Sequence, residues 1–198
     1  MIDKKYNETS LSYPAYRHML EQLLAEGKTT GATQSADLID YAKMNMQRMN
    51  RLDKTVELTE AFTNIIQKIN ATQHWFVLTE GWCGDAAQIV PVIAKASALN
   101  NKIHLHILLR DDNLELMDKY LTHGKSRSIP KLIVADENLE EIFNWGPRPA
   151  SAQLLLDEWK NSEMPFEQLS SNLHGWYAKN KTQDTQKELA TAFEATLS

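Results

Sequence analysis

The lone cysteine of this 198-residue chain, Cys83, stands in the run Trp82-Cys83-Gly84-Asp85-Ala86, between a short apolar segment and a stretch of helical character. That junction puts the sulfur close to a helix N-terminus. Backbone N–H groups left unpaired in a first turn, together with the helix dipole, favour an anion there, and the thiolate is the reactive form of cysteine. Asp85 opposes it. A helix terminus offers about 0.3 to 1 kcal/mol to an anion. A carboxylate ~6 Å away costs roughly 0.7 to 2.8 kcal/mol between effective dielectrics of ~80 and ~20. Unless a cation assists, Cys83 is an ordinary thiol. Glu80, three positions upstream, is a candidate base for it. Pro91 interrupts the helical stretch eight residues beyond the cysteine. Ile129-Pro130 opens a later apolar segment in a setting compatible with a cis peptide.

One cysteine excludes an intramolecular disulfide framework, a Cys-based zinc finger and any dithiol mechanism within a single chain. The balance of 21 Lys+Arg against 26 Asp+Glu, a formal net charge of −5, gives no support to phosphate neutralisation, so nucleic acid is not an expected partner. The polar start, Met1 to Glu8, leads into no signal-peptide run, and nowhere do about 18 apolar residues follow one another. The expectation is a soluble, cytoplasmic protein with no membrane partner, in which a reducing environment keeps Cys83 a free thiol. His104 and His106 alternate on one segment and share a strand face. No Asp, Glu or Cys completes a ligand set beside them, so neither a metal nor another cofactor is expected.

Hydrophobic spacing supplies the elements that must position these groups. Apolar residues at three- and four-residue intervals predict helices from Tyr13 to Gly27, with Ser12 as N-cap and Pro14 in the first turn, from Ala36 to about Leu52, and from about Val56 to Ile69. Met44, Met46 and Met49 read as gap-filling core. The pattern changes at residue 74. His74 to Thr79 and Ile103 to Leu109 are aromatic and β-branched runs that suit buried strands, Trp75 reading as core. Between them lies a helix, Asp85 to Leu99. Asp111 to Tyr120 reads as a short helix capped by Asp111 or Asp112. Lys131 to Ala135 and Glu140 to Trp145 form a hairpin around Asp136-Glu137-Asn138. Helices follow over Ala150 to Lys160, Phe166 to Tyr177 and Thr182 to Leu197, the last amphipathic and expected to pack on the domain. Strands joined through a helix are parallel, so the prediction is an α/β fold with a four-stranded mixed sheet flanked by helices.

From about residue 72 to 160 the chain resembles the thioredoxin superfamily. The likeness rests on WCGDAAQIVP against that family's Trp-Cys-Gly-Pro-Cys with a helix proline eight residues after the first cysteine. It rests also on Ser128-Ile129-Pro130-Lys131 in place of the cis-proline loop, then a hairpin, Gly146 and a final helix. Trp145-Gly146-Pro147-Arg148-Pro149 is similar to a branch with extra N-terminal helices. The implied organisation is a helical N-terminal extension (1–71), a thioredoxin-like domain (72–161) and a helical tail (162–198). The family's second cysteine is Ala86 here, the proline between the cysteines is Asp85, and the buried acid six positions before the first cysteine is Val77. Dithiol turnover is therefore excluded. The resemblance also implies that the Gly146–Pro149 loop lies beside the cysteine, which makes Arg148 the first candidate for the assisting cation. There it would pair with Asp85, the thiolate or a ligand carboxylate. Lys125 and Arg127 are further candidates.

Two functions are expected from these residues. In the first, Cys83 carries monothiol exchange with a protein disulfide or a low-molecular-weight thiol, and an external thiol releases the adduct. Trp82 lines a groove, the Ile129 backbone and Pro130 hold the bound chain, Gly84 and Asp85 face the sulfur, and Arg148 binds a carboxylate. In the second, the fold keeps this groove without catalysis and docks an extended peptide by strand addition. Fold alone does not decide between an oxidoreductase and a binding module.

Overall fold

The computed structural model describes residues 1–197. Strand β1 (Gln73–Thr79) is central to a four-stranded sheet of order β2-β1-β3-β4. Its residues from Trp75 to Thr79 are buried, as a strand covered on both faces requires. Strand β2 (Ile103–Leu109) runs parallel to β1 and is reached through helix α5 (Gly84–Ser97), while β3 (Lys131–Ala135) and β4 (Glu141–Trp145) add antiparallel pairs on the other side. The mixed thioredoxin-like sheet read from the sequence is present.

Before β1 lie α1 (Lys5–Thr9), α2 (Tyr13–Ala25), α3 (Ala36–Thr55) and α4 (Glu60–Lys68). The Ser12 and Ser35 hydroxyls cap α2 and α3 by accepting the N–H groups of Ala15 and Leu38. Three local expectations need correction. The third predicted helix starts at Glu60, not Val56, because Thr59 caps it at Phe62 N–H and buried Val56 terminates α3 in an extended conformation. The predicted helix 111–120 shortens to α6 (Leu114–Met117) and a 3-10 turn (Asp118–Tyr120), with no aspartate cap. Asp111 is engaged elsewhere: its N–H reaches Glu80 Oε1 at 2.9 Å and its carboxylate takes the Arg110 guanidinium. Met46 and Met49 are core, but Met44 is 41% exposed. Helix α1 is an addition, held because Ile2 and Tyr6 are buried and Ile2 N–H bonds the Leu139 carbonyl. Just beyond it, Leu11 pairs with Ile107 and covers part of the β2 edge.

After the hairpin come α7 (Ala150–Asn161), α8 (Phe166–Asn180) and α9 (Gln183–Glu194). Helix α9 packs against α4, and α8 against α7. One apolar cluster runs through the whole arrangement, from Ile2 to Phe193. Among the described residues no helix is long and apolar enough to cross a membrane.

The imidazoles of His74, His104 and His106 share one sheet face. His74 stacks on both others, His74 Nδ1 lies 3.0 Å from His106 Nε2, and His106 Nδ1 lies 2.8 Å from Ser10 Oγ. Among the described residues no group of three or more His, Cys, Asp or Glu is placed to hold a metal ion. Burial first, and the neighbouring imidazoles second, push the His106 pKa down to about 4. The unfolded chain therefore binds more protons than the native one between about pH 6.5 and 4, so this histidine makes stability fall as pH falls through that window. Melting temperatures at pH 7 and pH 5 measure it. The drop should be smaller in His106→Gln, and an identical drop in the variant would remove His106 as the cause.

Candidate functional site

Cys83 is the N-cap residue of α5, in extended backbone geometry. Its sulfur accepts the Ala86 N–H of the first turn at 3.5 Å, and its S–H donates to the Ile129 carbonyl at 3.3 Å. The residue is only 9% exposed. Burial first, then the Asp85 carboxylate, push the thiol pKa up to about 12; the Ala86 N–H and Arg148 pull the other way without compensating. At pH 7 the thiol is therefore held in its protonated form.

Arg148 does lie beside the site, and its partner is Asp85. Its Nη2 and Nε donate to Asp85 Oδ2 at 2.6 and 3.2 Å, and Nη1 donates to Gln153 Oε1. The other carboxylate oxygen of Asp85 accepts the Tyr177 hydroxyl at 2.5 Å. Burial and Asp85 hold that phenol well above its ordinary pKa. Asp85 and Arg148 are both largely buried, with side chains 9% and 14% exposed, and they neutralise one another. Of the other cations weighed, Arg127 pairs with Asp118 on the surface and Lys125 is exposed. The Glu80 side chain is fully buried and bonded to Asp111 N–H, while its carbonyl accepts the Cys83 N–H at 3.1 Å. Burial raises the Glu80 pKa.

The remaining residues fit around this centre. Trp82 carries Arg110 over its ring at 4.9 Å, and the N-terminal loop approaches it at Gly31. Ile129–Pro130 and Gly146–Pro147 are cis peptides. Gly146, at φ +121, backs so closely onto Pro130 that a Cβ would stand 2.3 Å from the Pro130 carbonyl oxygen. At Gly84 a Cβ would meet the His174 imidazole of α8 at 2.7 Å. His174 is kept neutral at pH 7, since burial first and Arg48 second lower its pKa to about 4.

Trp82, Cys83, Gly84, Asp85 and Arg148 line a common cavity of about 380 Å³. Ile129, Pro130 and Gly146 do not line it: Ile129 meets the site only through its carbonyl on the sulfur, and Gly146 packs on Pro130. Sequence reasoning missed the roof. Helix α8 supplies Phe166, Leu169, Leu173 and His174, with Tyr177 on Asp85. Phe166, Leu169 and Leu173 recur at helical spacing in the sequence, but nothing in that spacing names the surface they meet.

A family model described as thioredoxin matches residues 31–160, so the likeness extends upstream of β1 into α3 and α4. The comparison with curated proteins returns no match. A crystal structure of an HIV epitope scaffold superposes with a TM-score of 0.61 at 15% identity, covering 98% of this chain and 99% of that one. A protein of unknown function from Pseudomonas aeruginosa gives 0.54 at 18% identity, covering 94% and 99%. At these identities the two structures speak to fold alone.

Proposed function

The chain belongs to the thioredoxin family, and from that premise we propose that it is a ligand-binding member whose lone thiol rests as a neutral hydrogen-bond donor. The observation that carries this reading is the state of Cys83: buried under α8, bonded to the Ile129 carbonyl, and pushed up to about 12. The cation that would acidify it is already neutralised by Asp85. Ala86 stands where a resolving thiol would be needed. The Ile129 carbonyl, where an added strand would dock, already accepts the thiol, so the cavity beside Cys83 is the more accessible place for a ligand. We take residues 72–161 as the part that carries the site, with 1–71 and 162–198 closing over it, and a cytoplasmic setting that keeps Cys83 reduced.

Monothiol exchange is the second reading, favoured by the Ala86 N–H on the sulfur and by the cavity that reaches it. In it the Cys83 thiolate attacks a disulfide, one thiolate leaves, and an external thiol later releases the mixed disulfide.

Reaction with a small aromatic disulfide separates the two. Relative to an ordinary cysteine near 8.5, the thiolate fraction falls by about 3.5 powers of ten, and higher nucleophilicity restores about 1.5. Native Cys83 should therefore react at least about 100-fold more slowly at pH 7 than the same residue in the urea-unfolded chain. A native rate equal to or above the unfolded one would overturn the binding reading in favour of exchange.

A further inference from the structure

The cavity at Cys83 has apolar walls: Leu38 and Tyr41 of α3, Leu156 of α7, and Phe166, Leu169 and Leu173 of α8. Its volume, about 380 Å³, lies in the range of small-molecule sites. The charges on its lining do not balance. Asp85 and Arg148 cancel one another, and His174 is neutral at pH 7. That leaves Lys160, at the last turn of α7, which is exposed and makes no ion pair among the described residues. Phe166 lines the same cavity yet is 67% exposed, touching Tyr41 only edge-on, so an apolar face is uncovered near the charge. An apolar chamber whose one uncompensated charge is an ammonium complements a molecule with an apolar body and a single anionic head.

We propose that this cavity binds a small amphiphilic carboxylate, an aliphatic or aromatic acid, with its chain against Leu156, Leu169 and Leu173 and its carboxylate on the Lys160 ammonium. The inference rests on the binding reading above and gives it a ligand class. No bond to Cys83 is formed, so the thiol keeps its contact with Ile129.

Calorimetric titration of the full chain with octanoate, 1-octanol and octylammonium tests the assignment. Octanoate should bind with a Kd below about 1 mM, octanol about five-fold or more weakly, and octylammonium not at all. Lys160→Gln should bring octanoate to the level of octanol. Phe166→Ala, at an exposed position where folding is not at stake, should weaken both several-fold. Equal affinity for octanoate and octanol, or a preference that survives in Lys160→Gln, would overturn the anionic-head assignment while leaving a binding pocket. No binding of any of the three would overturn the ligand class outright. The reactivity of Cys83 in the disulfide assay reports separately on the resting-thiol reading, so the two failures are distinguishable.

Discussion

Arg148→Ala should cost about 3 to 5 kcal/mol of unfolding free energy, because it leaves the Asp85 carboxylate buried with no cation. Against a typical total of about 5 to 15 kcal/mol, that loss is severe. Urea unfolding measures it. A surface ion pair would lose less than about 1 kcal/mol, and such a value would contradict the burial described here. The same substitution removes a group that favours the Cys83 thiolate, so the thiol pKa should move further up. Removing both partners, as in Asp85→Leu with Arg148→Met, should recover much of the stability, since a buried pair replaced by apolar side chains leaves no orphaned charge.

Phe193→Ala should cost a comparable 3 to 5 kcal/mol. Phe193 of α9 is fully buried, stacks on Trp75 of the central strand with ring centroids 4.6 Å apart, and meets Phe143 edge-on at 4.8 Å. Gln186 adds polar anchors from the same helix, accepting the Thr59 N–H and donating to the Glu57 carbonyl. Because α9 holds the tail whose preceding helix roofs Cys83, loosening it should also speed the reaction of Cys83 with an aromatic disulfide. A loss below about 1 kcal/mol with an unchanged rate would mean that the tail is not held through this contact.

The sheet was legible in the sequence because each strand carries its own signal. β1 and β2 are apolar runs bounded by polar turns, and the hairpin is marked by Asp136-Glu137-Asn138. The helix periods were equally local, as was the Ser12 cap. What escaped depends on partners far along the chain. Helix α1 exists because Ile2 and Tyr6 find cover that Met1–Glu8 does not announce. Helix α6 lacks the aspartate cap because Asp111 is tied down, its carboxylate by Arg110 and its N–H by Glu80, thirty-one residues upstream. At the site, WCGDA marked a cysteine at a helix start, and the fold supplies the particular partner, the Ala86 N–H. Arg148 had three conceivable partners, and only the fold selects Asp85. Tyr177 and His174 lie about ninety residues from the centre they complete, on a helix whose apolar spacing specifies a helix but not the surface it meets.

The state of the lone thiol is the centre of this account, and its titration in the native protein tests it most directly. Following thiolate absorbance in the ultraviolet from neutral to alkaline pH, with Cys83→Ala as the blank, should show no thiolate below about pH 10. A midpoint at or below about 8.5, the value of an ordinary cysteine, would contradict the account and make Cys83 a working nucleophile.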